Sequence, residues 1–335
     1  MIVNIDPFKR FIEIWLYTMI LLIFLIVFVG GLTRLTDSGL SITEWELFKG
    51  IFPPINKERW ILYFELYKEI PEYKEINYNM SLSEFKIIFY WEYGHRLLAR
   101  LIGLVSILPL FYLSFKFRKF QKNIYKYYLI FLLICFQGLI GWFMVKSGLI
   151  NDTDVSHFRL ALHLSIALLI LSLVFWFILD NLNIQKFKIK LPKNFLYFFL
   201  ICLVIQIILG AFLAGLNGGL LFNTWPDMNG YFLPSDILQK DLYSFNSLNN
   251  PSIIQFYHRN IAYLVVILLL ILNFLFLKKN LSFKFLNIFN LTIFLQVLLG
   301  IITLITGVKI MYASIHQLGS ILVLTSFLFI IYKNS

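Results

Sequence analysis

The chain has 335 residues, 59% of them hydrophobic and 14% charged, with a formal net charge of +11. Soluble domains carry about 25% charged residues, so this composition excludes one or two soluble domains and predicts a multi-span membrane protein. The positive excess does not indicate nucleic acid, because the lysines and arginines cluster in short segments between long apolar runs.

A helix needs roughly 20 apolar residues to cross ~30 Å of hydrocarbon. Eight such spans are predicted, at residues 13–33, 90–113, 127–146, 159–180, 195–216, 255–277, 285–306 and 312–332. The first is too long and too well flanked for a cleaved signal peptide. Lys9 and Arg10 precede it, and it ends in Gly30-Gly31, a pair that permits close packing or a helix end. Residues 34–89 form the longest predicted outer segment. It opens with Thr36 to Trp45, turn chemistry followed by a predicted helix cap, and continues through an aromatic, mixed-charge stretch.

The second span carries Glu92 and His95. Lys116, Arg118, Lys119, Lys122 and Lys126 surround the loop to the third, which carries Cys135 and Gln137…Gly141. Asp152, Asp154 and His157 occupy the next outer loop, where His157 reads as a plain loop histidine. The fourth span opens with Arg159 and His163. After Lys186, Lys188, Lys190 and Lys193 the pattern restarts: Cys202 and Gln206…Gly210 in the fifth span, Gln255 and His258 at the sixth, Gln296…Gly300 in the seventh and His316 in the eighth. Lys278, Lys279 and Lys284 separate the sixth and seventh, and Lys333 follows the eighth. With eight spans these basic segments share one side, so both termini are expected in the cytoplasm. The two cysteines read as small core residues. Without a CxxC pair or an outer-loop cysteine there is no disulfide or thiolate metal framework.

The order repeats. His95-Arg96 matches His258-Arg259, Gln137…Gly141 matches Gln296…Gly300, and His163 matches His316. The expected fold is all-α, eight transmembrane helices as two pseudo-repeated four-helix bundles, residues 1–185 and 186–335. Four spans per copy make the repeat parallel, about an axis along the membrane normal.

His95, His163, His258 and His316 then start the even-numbered spans near the outer face. Neutral imidazole is the usual ligand of a b-type haem iron, and a four-helix bundle cages a flat macrocycle. Ala99, Ala167, Ala262 and Ser320, each four residues on, would leave room beside the ring. Zinc is the weaker option, because carboxylate or thiolate partners at ligand spacing are missing. Glu92 lies three residues before His95, on the same face. Its counterpart Gln255 cannot ionise, so one half is expected to do chemistry while the other holds a permanent cofactor. A first-turn acid favoured by the helix dipole is the blander reading. Arg96 and Arg259 suit haem propionates, or else snorkel to lipid phosphate. The three Gln-xxx-Gly stretches read as interhelical packing and hydrogen-bonding sites.

At these residues the chain resembles the haem A synthase family. The matching pieces are Gly31-Leu32-Thr33-Arg34-Leu35-Thr36-Asp37-Ser38-Gly39-Leu40-Ser41-Ile42-Thr43-Glu44-Trp45, Glu92-Tyr93-Gly94-His95-Arg96, Arg159-Leu160-Ala161-Leu162-His163, Ala214-Gly215-Leu216-Asn217-Gly218-Gly219, Asn223-Thr224-Trp225-Pro226, Tyr257-His258-Arg259 and His316-Gln317. They run the length of the chain and look closest to the alphaproteobacterial and mitochondrial branch. Some members carry an outer-loop cysteine pair that is missing here, so a thiol role does not transfer. The resemblance implies oxidation of the C8 methyl of haem o to a formyl group by successive hydroxylations, giving haem a for terminal oxidases. It implies a resident haem b on His258 and His316, with substrate haem o at His95 and His163 and an essential Glu92 beside it. It further implies a bacterial inner-membrane location, a haem o synthase as supplier and an electron-transfer partner; a homo-oligomer is compatible with it. A di-haem b electron-transfer cytochrome and a haem carrier are the alternatives.

Overall fold

In a computed structural model the described residues are 7–46, 49–116, 124–150 and 152–335; Arg118, Lys119 and Lys122 lie outside them. Ten α-helices follow one another: α1 (Pro7–Leu35), α2 (Lys57–Lys68), α3 (Pro71–Glu75), α4 (Leu82–Lys116), α5 (Tyr125–Gly148), α6 (His157–Asn181), α7 (Lys193–Gly215), α8 (Pro251–Lys278), α9 (Lys284–Ile305) and α10 (Ile310–Asn334). All but α2 and α3 are long and apolar enough to cross a membrane, which makes eight spans among the described residues. Each predicted span falls on one of them.

The largest difference is at α4, which begins at Leu82 rather than near residue 90. Ser81 and Glu84 form a reciprocal cap there, Ser81 N–H donating to Glu84 Oε2 at 2.8 Å and Glu84 N–H to Ser81 Oγ at 3.3 Å. The extra turns are amphipathic, and a hydropathy window tuned to lipid does not register them.

The chain divides into two compact units, residues 1–174 and 175–335. In the first, α1 packs against α4 and α4 against α5. Pro109 inside α4 has no N–H, which leaves the Val105 carbonyl without its helical partner. Trp15 of α1 fills that gap, its indole N–H donating to Val105 O at 2.7 Å. A backbone defect in one helix thereby becomes a link to the next. A small, largely aromatic core caps one end of these helices: Leu40, Ile42, Trp60, Phe64, Tyr67, Ile70, Phe85 and Phe89 are buried together, from the loop after α1, from α2 and the α2–α3 link, and from the start of α4. Burying each such ring contributes roughly 1.5–3 kcal/mol, enough to fold the predicted long loop into a defined cap.

The helix cap expected within the stretch Thr36 to Trp45 is not formed; residues 40–46 stay irregular. Their backbone groups are taken by side chains of α4. Ile42 N–H donates to Glu92, Ile42 O and Glu44 O accept from Arg96, and Glu46 O accepts from Arg100. Backbone groups satisfied in this way need no helix.

In the second unit α7 packs on α8 and α9 on α10. Phe199, Phe289 and Phe327 are fully buried, with ring centroids 4.6–5.7 Å apart. Asn273 and Asn290 exchange two amide hydrogen bonds, each 2.9 Å, between α8 and α9. In an apolar span such a pair satisfies both amides at once. Cys202 is buried, as expected, whereas Cys135 is exposed on α5. A lipid-facing position and a core position are equally apolar in sequence, which is why the two looked alike.

Candidate haem-ligating site

His95, His163, His258 and His316 lie on α4, α6, α8 and α10. Each imidazole rests on a glycine of another helix. A Cβ added at Gly30 would lie 2.8 Å from His95 Cε1, at Gly141 3.0 Å from His163 Cε1, at Gly210 3.2 Å from His258 Cε1, and at Gly300 2.9 Å from His316 Cε1. A side chain at Gly30 or Gly300 would force a shift, and at Gly141 or Gly210 the ring would have to give by a few tenths of an ångström. The glycines of the Gln-xxx-Gly stretches are therefore histidine seats, a role sequence reasoning did not assign, and Gly30 of α1 is the fourth.

The residue four positions before each seat, one turn away on the same face, adds a second restraint. Gln137 Nε2 donates to His163 O at 2.9 Å and Gln296 Nε2 to His316 O at 2.9 Å, while Gln206 Nε2 lies 3.2 Å from His258 Nε2. At the seat of His95 that residue is Ile26, which has no amide.

One nitrogen of every ring, Nδ1, is buried with no hydrogen-bond partner. Four orphaned imidazole nitrogens would each cost about 1–3 kcal/mol if nothing filled the position. His95 and His163 lie within electrostatic range of one another, as do His258 and His316. Two buried imidazoles per unit, each with a free nitrogen, are a donor set that would hold one haem iron in each unit. Among the described residues no group of three His, Cys, Asp or Glu could hold a free metal ion, so zinc has no ligand set there.

Beside His95 lies a latch. Glu92 is 3% exposed. Its Oε2 accepts from Ser41 Oγ and Ile42 N–H, both at 2.7 Å, and its Oε1 accepts from Arg96 Nη2 at 2.6 Å and Nε at 3.0 Å. Arg96 continues to Ile42 O at 2.8 Å and Glu44 O at 3.3 Å. In the second unit Gln255, 1% exposed, donates to Phe222 O at 3.0 Å. Arg259 donates to Phe222 O, Thr224 O and Asp227 O at 2.6–2.9 Å. Both units tie a loop to the helix turn that carries a histidine, and among the described residues only the first does so with an ion pair. These bonds engage most of the five guanidinium N–H groups of each arginine, leaving one on Arg96 and two on Arg259 to reach an anion such as a propionate.

Two further residues were read differently from sequence. His157 opens α6 instead of lying in the loop, its ring 4.2 Å from that of Phe158. Glu72, which sequence did not single out, is 4% exposed under the outer cap, and its Oε2 has no hydrogen-bond partner. Burial, with like charge from Glu92, Asp37 and Asp154, pushes its carboxyl up to about 8; Tyr67 opposes this through a hydrogen bond.

Residues 13–328 match the COX15-CtaA family model, described as cytochrome oxidase assembly protein. The chain is 58% identical over 335 residues, all of both chains, to the Heme A synthase of Pelagibacter ubique (strain HTCC1062). It is 42% identical over 318 residues to that of Rickettsia bellii (strain OSU 85-389), covering 93% of this chain and 94% of the relative. It is 40% identical over 335 residues to that of Flavobacterium psychrophilum, covering 98% and 99%.

Proposed function

The chain belongs to the COX15-CtaA family of cytochrome oxidase assembly proteins and has the haem A synthase function of its relatives; from that premise we propose that it oxidises the C8 methyl of haem o to a formyl group, in the unit that carries Glu92. The observation that carries the division of labour is the unequal chemistry of the two latches. Glu92, ion-paired with Arg96, lies one turn before His95, whereas Gln255, one turn before His258, cannot ionise. A resident electron-transfer cofactor needs no acid beside it, and a substrate that loses protons needs a base.

His258 and His316 are accordingly the ligands of a resident haem b, with the spare donors of Arg259 for its propionates. When bound, that haem supplies one-electron transfer. His95 and His163 hold the iron of haem o as substrate, and Arg96 offers its remaining N–H. Exposed apolar helix faces accommodate the farnesyl tail.

Glu92 is the ionisable group one turn from the substrate ligand His95. Breaking methyl C–H bonds releases protons, and the Glu92 carboxylate is the local base able to accept one. Arg96 pairs with that carboxylate, and Ser41 with Ile42 N–H fixes its orientation. The aromatic cap of α2, α3 and the start of α4 keeps water from the outer side. Gln255, at the matching place in the second unit, holds its loop without a proton to exchange, as a pure electron-transfer site requires. In an electron-transfer cytochrome or a haem carrier no acid would be needed at one pair only.

The reading includes a bacterial inner membrane with both termini in the cytoplasm, the histidines towards the outer face, a haem o synthase as supplier and a separate electron acceptor. It is tested by expressing the full chain with a haem o source and separating the acid-extracted haems. Haem a, or its hydroxylated precursor, is expected; haem o recovered unchanged would reject it.

A further inference from the structure

The four histidine seats differ in one respect that the proposed reaction does not use. Three of the four supporting helices place a glutamine one turn before the seat, and its amide reaches the histidine across the helix pair. The fourth places Ile26 there. In compensation, the turn of α4 that carries His95 is held from the loop side, by Glu92 on Ser41 and Ile42 and by Arg96 on Ile42 and Glu44. His258 has both kinds of support, from Gln206 and from the Gln255 and Arg259 bonds to residues 222–227.

We infer that His95 is the exchangeable ligand of the substrate pair, held in register by the loop at residues 41–44 instead of by an amide on its neighbouring helix. This rests on the assignment of His95 and His163 to the substrate. The step is a simple ligand dissociation: the bond from the imidazole nitrogen to the substrate iron breaks and the nitrogen keeps its lone pair. One face of the substrate iron opens while His163, its main-chain carbonyl pinned by Gln137, stays. Ile26 is then a positioning residue by omission. An amide there would hold His95 whatever the loop does, and the loop latch would lose its influence on ligation. Because the latch runs through Glu92, loosening of the loop frees the ligand and the base together.

The test uses carbon monoxide, which binds a ferrous haem with two histidine ligands only where one of them leaves. Full-length protein in detergent is loaded with haem o, reduced with dithionite and titrated with carbon monoxide, with haem content measured in parallel. In the unaltered protein one of the two haems should bind the gas. Ile26→Gln should weaken that binding about five- to tenfold, the worth of one hydrogen bond, at unchanged haem content. Ser41→Ala, which removes one bond from the latch, should strengthen it severalfold and gives an independent reading should Ile26→Gln fold poorly. Equal carbon monoxide affinity in the unaltered protein and in whichever of these variants folds would overturn the inference while leaving the haem assignments intact. Failure of the first unit to take up haem o would instead reject the proposed ligand pair, and the inference with it.

Discussion

The Glu92 carboxylate accepts a hydrogen bond from the backbone N–H of Ile42, 2.7 Å away and 50 residues earlier in the chain. That contact joins the carboxylate one turn before His95 to the loop that covers it. Its counterpart, Gln255 on Phe222 O, makes the same kind of connection without a charge.

Glu92→Gln keeps an acceptor for Ser41 and Ile42 but leaves Arg96 without its anion. Removing one partner of a buried pair costs roughly 3–5 kcal/mol, and loss of a general base costs about 10²–10⁴ in rate. Haem b absorbance should persist in the purified variant while haem a falls below about 1% of normal in extracted haems. Full turnover would remove Glu92 from the reaction.

The glycine seats predict a contrast along one helix. Gly141→Ala places a methyl 3.0 Å from His163 Cε1, whereas nothing lies within 4 Å of a Cβ at Gly138. Overpacking of this kind costs typically 1–3 kcal/mol. Gly141→Ala should lower haem o retention about tenfold or more, and Gly138→Ala should leave it unchanged. In the second unit Gly300→Ala, 2.9 Å from His316 Cε1, should deplete haem b instead.

Glu72 predicts a pH dependence. Its ordinary value is 4.5 and the folded value about 8, so between them the folded state binds the extra proton. Its contribution to stability is complete below about 4.5 and is lost as pH rises through 8. The groups that face it, Tyr67, Asn77, Glu92, Asp37 and Asp154, offer no cation to reverse the sign. Thermal unfolding of the unaltered protein should fall faster with pH over that window than that of Glu72→Gln. Parallel curves would show that Glu72 is ionised in the folded protein.

The spans were legible because lipid imposes a length and a hydropathy on each of them. The four histidines were legible because they recur in matching surroundings. What sequence could not show is what touches what. The stretch from Gln137 to Gly141 was visible as a packing motif, yet that it seats His163 depends on which helix lies alongside. Ser41 and Ile42 looked like turn residues, and their bond to Glu92 exists only once the loop folds back over α4. Nothing in Pro71-Glu72-Tyr73 marks Glu72, which is buried beside Tyr67 and Asn77 once the cap folds. Cys135 failed in the other direction, since an apolar neighbourhood in sequence does not separate lipid from core.

The most direct measurement of the division between the units compares the haems bound by two double variants, each purified from cells supplied with haem o. His95→Ala with His163→Ala should retain haem b and carry neither haem o nor haem a. His258→Ala with His316→Ala should lose haem b and carry haem o that is not converted. Loss of both haems to the same extent in each variant, or haem b retained without His258 and His316, would contradict the account.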